Sequence, residues 1–514
     1  MAGRGEDLLR IDGNSLRIEN VAAVARQGEK VSLSRDSRTK VRASREAVEA
    51  IVKHEKMAYG IKTGFGELAN VAIPGTDLLK LQLNLIRSHA IGLGDPLSED
   101  EVRAALLVRA NALSKGYSGV REELLEMIVE LLNRGVHPVI PSRGSLGASG
   151  DLAPLAHMAL VLVGEGEAHF GGKRMTGREA LEAAGLHPLV LQSKEGLALV
   201  NGTSVMAGVG SLVVHDAICL LRDAQVAASM SFEALKGSPE PFDPRIASLK
   251  PHPGLVRVAT NMRRLLVGSE IIPSHPGSHR VQDPYSLRCI PQVLGACADA
   301  IENTRRVIEI EINSATDNPL IMSEEKESLS GGNFHGQEAA MALDQLTLAM
   351  TIMSGISERR IARLVDARLS DLPPFLTEES GLNSGMMLSQ YVAAALVSEN
   401  KTLSFPASAD SIPTSANQED YVPMGQWAAL KSRHVLENAR MVIAIEYLCS
   451  AQGLDFREPA LPGKGPRAAH TIIRTVVPHL ESDRAQHGDV EVVLGLMREG
   501  SIVAAAEKSI GKIG

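Results

Sequence analysis

The feature that most constrains this chain is its long runs without proline. From Gln337 to Asp366 the sequence reads QEAAMALDQLTLAMTIMSGISERRIARLVD. If helical, these roughly 30 residues make a rod on the order of 45 Å long. Pro291 to Asn313 and Trp427 to Gly453 read the same way. Such lengths exceed the usual helix mean and predict a bundle of long antiparallel helices. Gly-, Pro- and Ser-rich breaks at 251–254, 274–286, 324–333, 406–417 and 459–466 separate the rods. Polar loops at rod ends are where chemistry tends to sit.

Composition fits such a bundle. Of 514 residues, 44% are hydrophobic and 22% charged, as in an ordinary globular protein. That length suggests several domains or one large helical core with appendages. Aromatic residues are only 3%, so the core is built from Leu, Ile, Val, Ala and 17 Met, and stacking platforms for bases are not expected. The net charge of −8 argues against a nucleic-acid or anionic-membrane surface. Cys219, Cys289, Cys297 and Cys449 form no CxxC, which disfavours a zinc ribbon or a disulfide framework and predicts a reducing, cytoplasmic setting. The N-terminal MAGRGEDLLRIDG has no apolar run like that of a signal peptide, and with no unbroken run of 18 apolar residues no membrane span is expected.

The expected organisation is a mixed N-terminal part over 1–210, a long-helix bundle over 211–430 and a smaller helical part over 431–514. Near the N-terminus, Ser15-Leu-Arg-Ile-Glu19 reads as β-like and Ala43 to Ala58 as helix. A well-marked helix starts at Ser98, where Glu101 three residues on completes a capping box. Val102, Ala105, Leu106, Ala110 and Leu113 follow at helical spacing, and Gly116 ends the run.

Most catalytic signatures fail. Gly147-Ala-Ser149-Gly-Asp151 has Asp where a nucleophile elbow needs its last Gly. Gly164-Glu-Gly166-Glu-Ala-His169 lacks the third Gly of a dinucleotide loop and follows a segment that reads as helix. There is no Walker loop and no HExxH, so neither a metal nor a nucleotide is expected. The segment from Gly144 to Leu155, GSLGASGDLAPL, admits two readings. One is a glycine-rich turn with Ser149 or Asp151 capping a helix. The other is backbone cyclisation. In a tight bend the Gly150 nitrogen attacks the Ala148 carbonyl, an approach that a Cβ on the third residue or bulk on the first would block. Loss of water closes an imidazolone, and a second dehydration turns the Ser149 side chain into an exocyclic methylene. The product, 4-methylideneimidazol-5-one (MIO), is an electrophile made without any external cofactor.

Eight segments in order give the chain, over roughly residues 50 to 460, a close resemblance to the aromatic amino acid ammonia-lyases. They are Tyr59-Gly-Ile-Lys-Thr-Gly-Phe-Gly66, Asn84-Leu-Ile-Arg-Ser88-His89, Ala148-Ser149-Gly150, Leu199-Val-Asn201-Gly-Thr, Gln282-Asp-Pro-Tyr285-Ser-Leu-Arg288, Asn313-Ser-Ala-Thr-Asp-Asn-Pro319, Gly332-Asn-Phe334-His, and Thr414-Ser-Ala-Asn-Gln418-Glu419-Asp420. The resemblance implies β-elimination of ammonia, with the electrophile at Ala148-Ser149-Gly150 improving the leaving group and a base removing a weakly acidic proton. It implies Tyr59 as that base and Arg288 as the bidentate partner of the substrate carboxylate. Asn201, Gln282 and Tyr285 are implied as donors to the carboxylate and the imidazolone oxygen, Phe334 as an aromatic wall, and Glu419 as a carboxylate on the substrate's imidazole or amine.

Ser88-His89 and Glu419 resemble the histidine-acting branch, which implies L-histidine as substrate and trans-urocanate as product. A polar pair can satisfy an imidazole that leucine would leave unpaired in a dry pocket, at a cost on the order of 1–3 kcal/mol per group. A tyrosine or phenylalanine lyase or aminomutase is the alternative within the same chemistry, and a non-catalytic helical scaffold with an uncyclised loop is the alternative outside it. The resemblance further implies a mainly α, aspartase/fumarase-like fold and a homotetramer whose sites take residues from three chains.

Overall fold

The computed structural model describes residues 8–53, 63, 73–74, 77–274 and 281–514. It is mainly helical. The three expected rods are present as Ile290–Glu311, Gln337–Val365 and Gly425–Asp455, and a fourth of 31 residues runs over Ser204–Ala234. The Gln337–Val365 helix is rich in Ala, Leu and Met, all good helix formers. It stops where Asp366 turns to cap the next short helix, its carboxylate accepting from the Arg368 N–H at 3.0 Å. The Ser204–Ala234 and Gln337–Val365 helices are long and apolar enough to cross a membrane by length and composition. Some 78% and 67% of their most apolar windows are buried within the structure, so that apolarity serves packing.

The chain forms two units, each assembled from three stretches: Met1–His215, Thr304–Asp344 and Pro406–Leu430 in the first, and Asp216–Asn303, Gln345–Phe405 and Lys431–Gly514 in the second. At the heart of the first is the Glu99–Ser114 helix, in which every residue from Glu101 to Ser114 is buried. Its start follows the sequence signal, with Glu101 reaching back to the Ser98 N–H at 2.9 Å. Burial on all sides leaves its polar groups to be satisfied within the protein. Arg103 donates to the carbonyls of Val24 and Leu132, each at 3.1 Å, and Asn111 donates to the Ile312 carbonyl at 2.8 Å.

Strands are short. Leu9–Ile11 pairs in parallel with Val31–Leu33, Leu93–Pro96 and Pro141–Arg143 run antiparallel, and His137–Pro138, Glu167–Phe170 and Lys173–Thr176 form a three-stranded sheet. The β-like reading of residues 15–19 is corrected: Ile18–Ala22 is helical, started by the Asn20 side chain accepting from the Arg17 N–H at 3.1 Å. The helix expected over 43–58 begins at Arg35 and is described to Lys53.

Among its described residues the second unit holds helices and no strand. A buried Arg360–Glu446 pair braces it, Nε to Oε1 at 2.5 Å and Nη2 to Oε2 at 2.8 Å, with the Ser231 and Ser357 hydroxyls completing the carboxylate's bonds.

Candidate active site

The Ala148-Ser149-Gly150 segment is a strained bend. Ser149 lies at φ 51 and Gly150 at φ 82, and the Gly150 N–H donates to the Gly147 carbonyl at 3.0 Å. A left-handed serine costs roughly 1–2 kcal/mol, so the surroundings must enforce it. They do so through residues 201–203. The Gly202 N–H donates to the Ser149 carbonyl at 3.0 Å, and the Asp151 N–H donates to the Gly202 carbonyl at 2.8 Å. Glycine is required twice over at position 150, because a Cβ there would lie 2.2 Å from the Gly202 oxygen.

The capping reading of this loop does not hold for Asp151. Its carboxylate leaves the Leu152–Leu162 helix uncapped and instead accepts from the Val205 and Met206 N–H groups, each at 2.9 Å, at the start of Ser204–Ala234. Full burial pushes this carboxyl up to about 7, helped by Glu311 and opposed by those N–H bonds and by Arg109. The Glu311 carboxyl, itself raised by burial, accepts from the Thr203 hydroxyl.

Asn201 is 2% exposed. Its Nδ2 donates to Asp317 Oδ1 at 3.1 Å and to the Asn318 carbonyl at 2.8 Å, while its Oδ1 has no partner among the described residues. Asp317 also pairs with the fully buried Lys194 at 2.6 Å. Burial lowers the Lys194 ammonium, against the attraction of Asp317. Arg109 holds the Asn201 carbonyl at 2.8 Å from behind. Both amide hydrogens of Asn201 are thus engaged within the protein.

His89 ends the Leu78–His89 helix, half-buried. Its Nδ1 lies 2.8 Å from the Leu85 carbonyl, which can only accept, so Nδ1 carries a proton. Burial pushes the imidazole below its ordinary value, with the Leu85 carbonyl and the Glu419 carboxylate opposing. The Ser88 hydroxyl donates to the same Leu85 carbonyl at 3.0 Å. Glu419 follows Ser415, Ala416 and Asn417, three successive residues at positive φ, and its carboxylate accepts from the Thr414 hydroxyl at 3.0 Å. This segment is tied to the Ser149 loop by the Met424 N–H, 3.0 Å from the Leu146 carbonyl, and by Gln426 Nε2, 3.2 Å from the Ser142 carbonyl. The half-buried Phe334 precedes His335, whose ring stacks on Tyr421 at 6.2 Å.

Ser88, His89, Ala148, Ser149, Gly150, Asn201, Phe334 and Glu419 all belong to the first unit. Gln282, Tyr285 and Arg288 belong to the second unit. There Gln282 is exposed, Tyr285 is 70% exposed, and the Arg288 guanidinium lies 4.5 Å over the Tyr285 ring while Nε donates to the Asp283 carbonyl at 3.0 Å. Tyr59 lies outside the described residues. No group of His, Cys, Asp and Glu suited to a metal occurs among the described residues.

The residues present fit an internal imidazolone. A bent tripeptide and a glycine with no room for a Cβ are what its closure needs. Lys194, Asp317, Arg109 and Gly202 escaped the sequence reading. The signal for Gly202 and Asp317 lay in the Asn201-Gly-Thr and Asn313–Pro319 segments, where only Asn201 had been given a role.

The aromatic amino acid lyase family profile matches residues 16–475. The histidine ammonia-lyase of Alkaliphilus oremlandii is 53% identical over 502 residues, 98% of this chain and 99% of that one. The crystal structure of histidine ammonia-lyase from Trypanosoma cruzi superposes with a TM-score of 0.91 at 39% identity, covering 98% of this chain and 96% of that one. Tyrosine aminomutase from Streptomyces globisporus superposes with a TM-score of 0.94 at 38% identity, covering 98% and 100%.

Proposed function

Because this chain belongs to the aromatic amino acid lyase family, we propose that it eliminates ammonia from L-histidine to give trans-urocanate, using an MIO group formed from Ala148, Ser149 and Gly150. It is a carbon–nitrogen lyase of the fumarase-like helical superfamily. The MIO, once formed, supplies the electrophile that turns the amine into a better leaving group. The chain's own residues do the rest. Tyr59 takes the β-proton, Arg288 holds the substrate carboxylate through two parallel bonds, and Gln282 and Tyr285 donate beside it. Phe334 walls the ring.

One observation carries the choice of substrate: a half-buried His89, its Nδ1 bonded to the Leu85 carbonyl, acted on by the Glu419 carboxylate. The Glu419 carboxylate suits the N–H donor of an imidazole, and neither side chain offers anything to a phenyl ring. The test is a side-by-side assay of L-histidine, L-tyrosine and L-phenylalanine. Histidine is expected to have the highest kcat/KM, and a preference for tyrosine would overturn this reading.

A homotetramer with shared sites is part of the proposal. Leu348, Ile352, Leu388, Tyr391 and Val392 in the second unit are large, apolar and 44–58% exposed, as expected of a face that another copy covers. Four free cysteines suit a reducing compartment such as the cytoplasm.

A further inference from the structure

We propose that the buried Lys194–Asp317 pair is a positioning device. It turns the Asn201 amide so that its oxygen, not its nitrogen, faces the ligand and accepts a hydrogen bond from the substrate's ammonium. This rests on the reading of the site as one that takes an amino acid.

Asn201 Nδ2 meets two oxygens, Asp317 Oδ1 at 3.1 Å and the Asn318 carbonyl at 2.8 Å. Neither can donate, so a flipped amide would set oxygen against oxygen. Asp317 accepts from Lys194 Nζ at 2.6 Å and from the Asn318 N–H at 2.7 Å. Lys194 is wholly buried and adopts a left-handed backbone, φ 75. A buried charge in a strained conformation is costly to keep, and its visible product is the orientation of one amide.

That orientation leaves Oδ1 buried and unpartnered one residue before Gly202, whose N–H clamps the Ser149 carbonyl at 3.0 Å. An unpaired buried acceptor is unfavourable until a donor arrives. An amino acid brings one donor near its reacting carbon, the ammonium, whereas its carboxylate brings only oxygens. The deaminated product brings none there, so the same oxygen favours substrate over product.

The experiment uses full-length protein carrying Ser149→Ala, which binds L-histidine without turning it over. Calorimetry compares L-histidine with 3-(imidazol-4-yl)propanoate, which has the same ring and carboxylate but no amine. Adding Asn201→Leu is expected to weaken histidine by about tenfold, the order expected for one hydrogen bond to a charged group, and the propanoate by less than about twofold. Asp317→Asn and Lys194→Met leave Asn201 in place and are expected to shift histidine alone, by several-fold. Asp317→Asn keeps the side-chain shape should Lys194→Met fail to fold. Equal weakening of both ligands by Asn201→Leu would overturn the proposal, because a donor to the carboxylate, or general damage, acts on both. Loss of histidine alone with Asn201→Leu but in neither of the other variants would remove the role of the pair. Failure of histidine to bind the Ser149→Ala parent, with the propanoate still bound, would instead strike the substrate reading and this proposal with it.

Discussion

Two polar networks in this protein, one half-buried around Asp455 and one buried around Asp317, use the same kinds of side chain and end differently. Around Asp455 in the second unit the network closes. Its oxygens accept from His470 Nε2 at 2.6 Å, His479 Nδ1 at 2.6 Å and Arg474 Nη2 at 2.7 Å. Gln452 then reaches His479 Nε2 at 3.1 Å and accepts from the Leu480 N–H at 3.0 Å. Burial alone would raise the Asp455 carboxyl, but His470, Arg474 and His479 outweigh it and hold it well below the usual range. Around Asp317 in the first unit the network stays open, because Lys194, Asp317 and Asn201 bond in series and stop at an oxygen with no partner among the described residues. A closed network braces a fold, and one left open beside a strained loop is arranged for a ligand.

That contrast is broken or sharpened by substitution. The largest effect is expected at the open end. Ser149→Ala and Gly150→Ala should each lower kcat by at least about a thousandfold, some 4 kcal/mol, while Ser149→Ala leaves the thermal midpoint nearly unchanged. In the closed network the roles reverse. Asp455→Ala, which strands an arginine and two histidines, should cost about 3 kcal/mol by urea unfolding with kcat/KM within about twofold of the parent. A large loss of activity at constant stability in that variant would erase the distinction. A smaller effect is expected at the substrate ring. His89→Leu should lower kcat/KM for histidine by about 10–100-fold, with a smaller effect on phenylalanine.

The smallest effect concerns pH. Asp223 is buried and pushed up to about 7, opposed by the Tyr447 hydroxyl that it accepts at 3.0 Å. Its proton is bound more tightly folded than unfolded. It therefore contributes stability that is fully present below about pH 4 and lost as pH rises through about 7. Asp223→Asn should remove about 1 kcal/mol of the stability lost between pH 6 and 7. An unchanged pH dependence of the urea midpoint would show that Asp223 is ionised throughout.

The rods were legible because some 30 residues of good helix formers without proline have few other folds open to them. The Ser204–Ala234 rod was harder to read, since a helix apolar on every side lacks the periodic contrast that marks a surface helix. Residues 15–19 misled because so short a segment is decided by one side chain, Asn20, rather than by propensity. At the site, the tripeptide and the His89 and Glu419 segments could be read from their order along the chain. The polarity of Asn201 could not. It depends on a carbonyl 117 residues away and on a buried lysine whose partner is 123 residues distant. Nothing local marks Lys194 as buried, and lysine is ordinarily at the surface.

Condensation of Ala148, Ser149 and Gly150 is open to direct test by intact-protein mass spectrometry of active enzyme. The expected mass is about 36 Da below that of the encoded sequence, two waters lost, with the deficit confined to the peptide spanning 148–150 and absent from Ser149→Ala. Active protein at the full encoded mass would rule the condensation out.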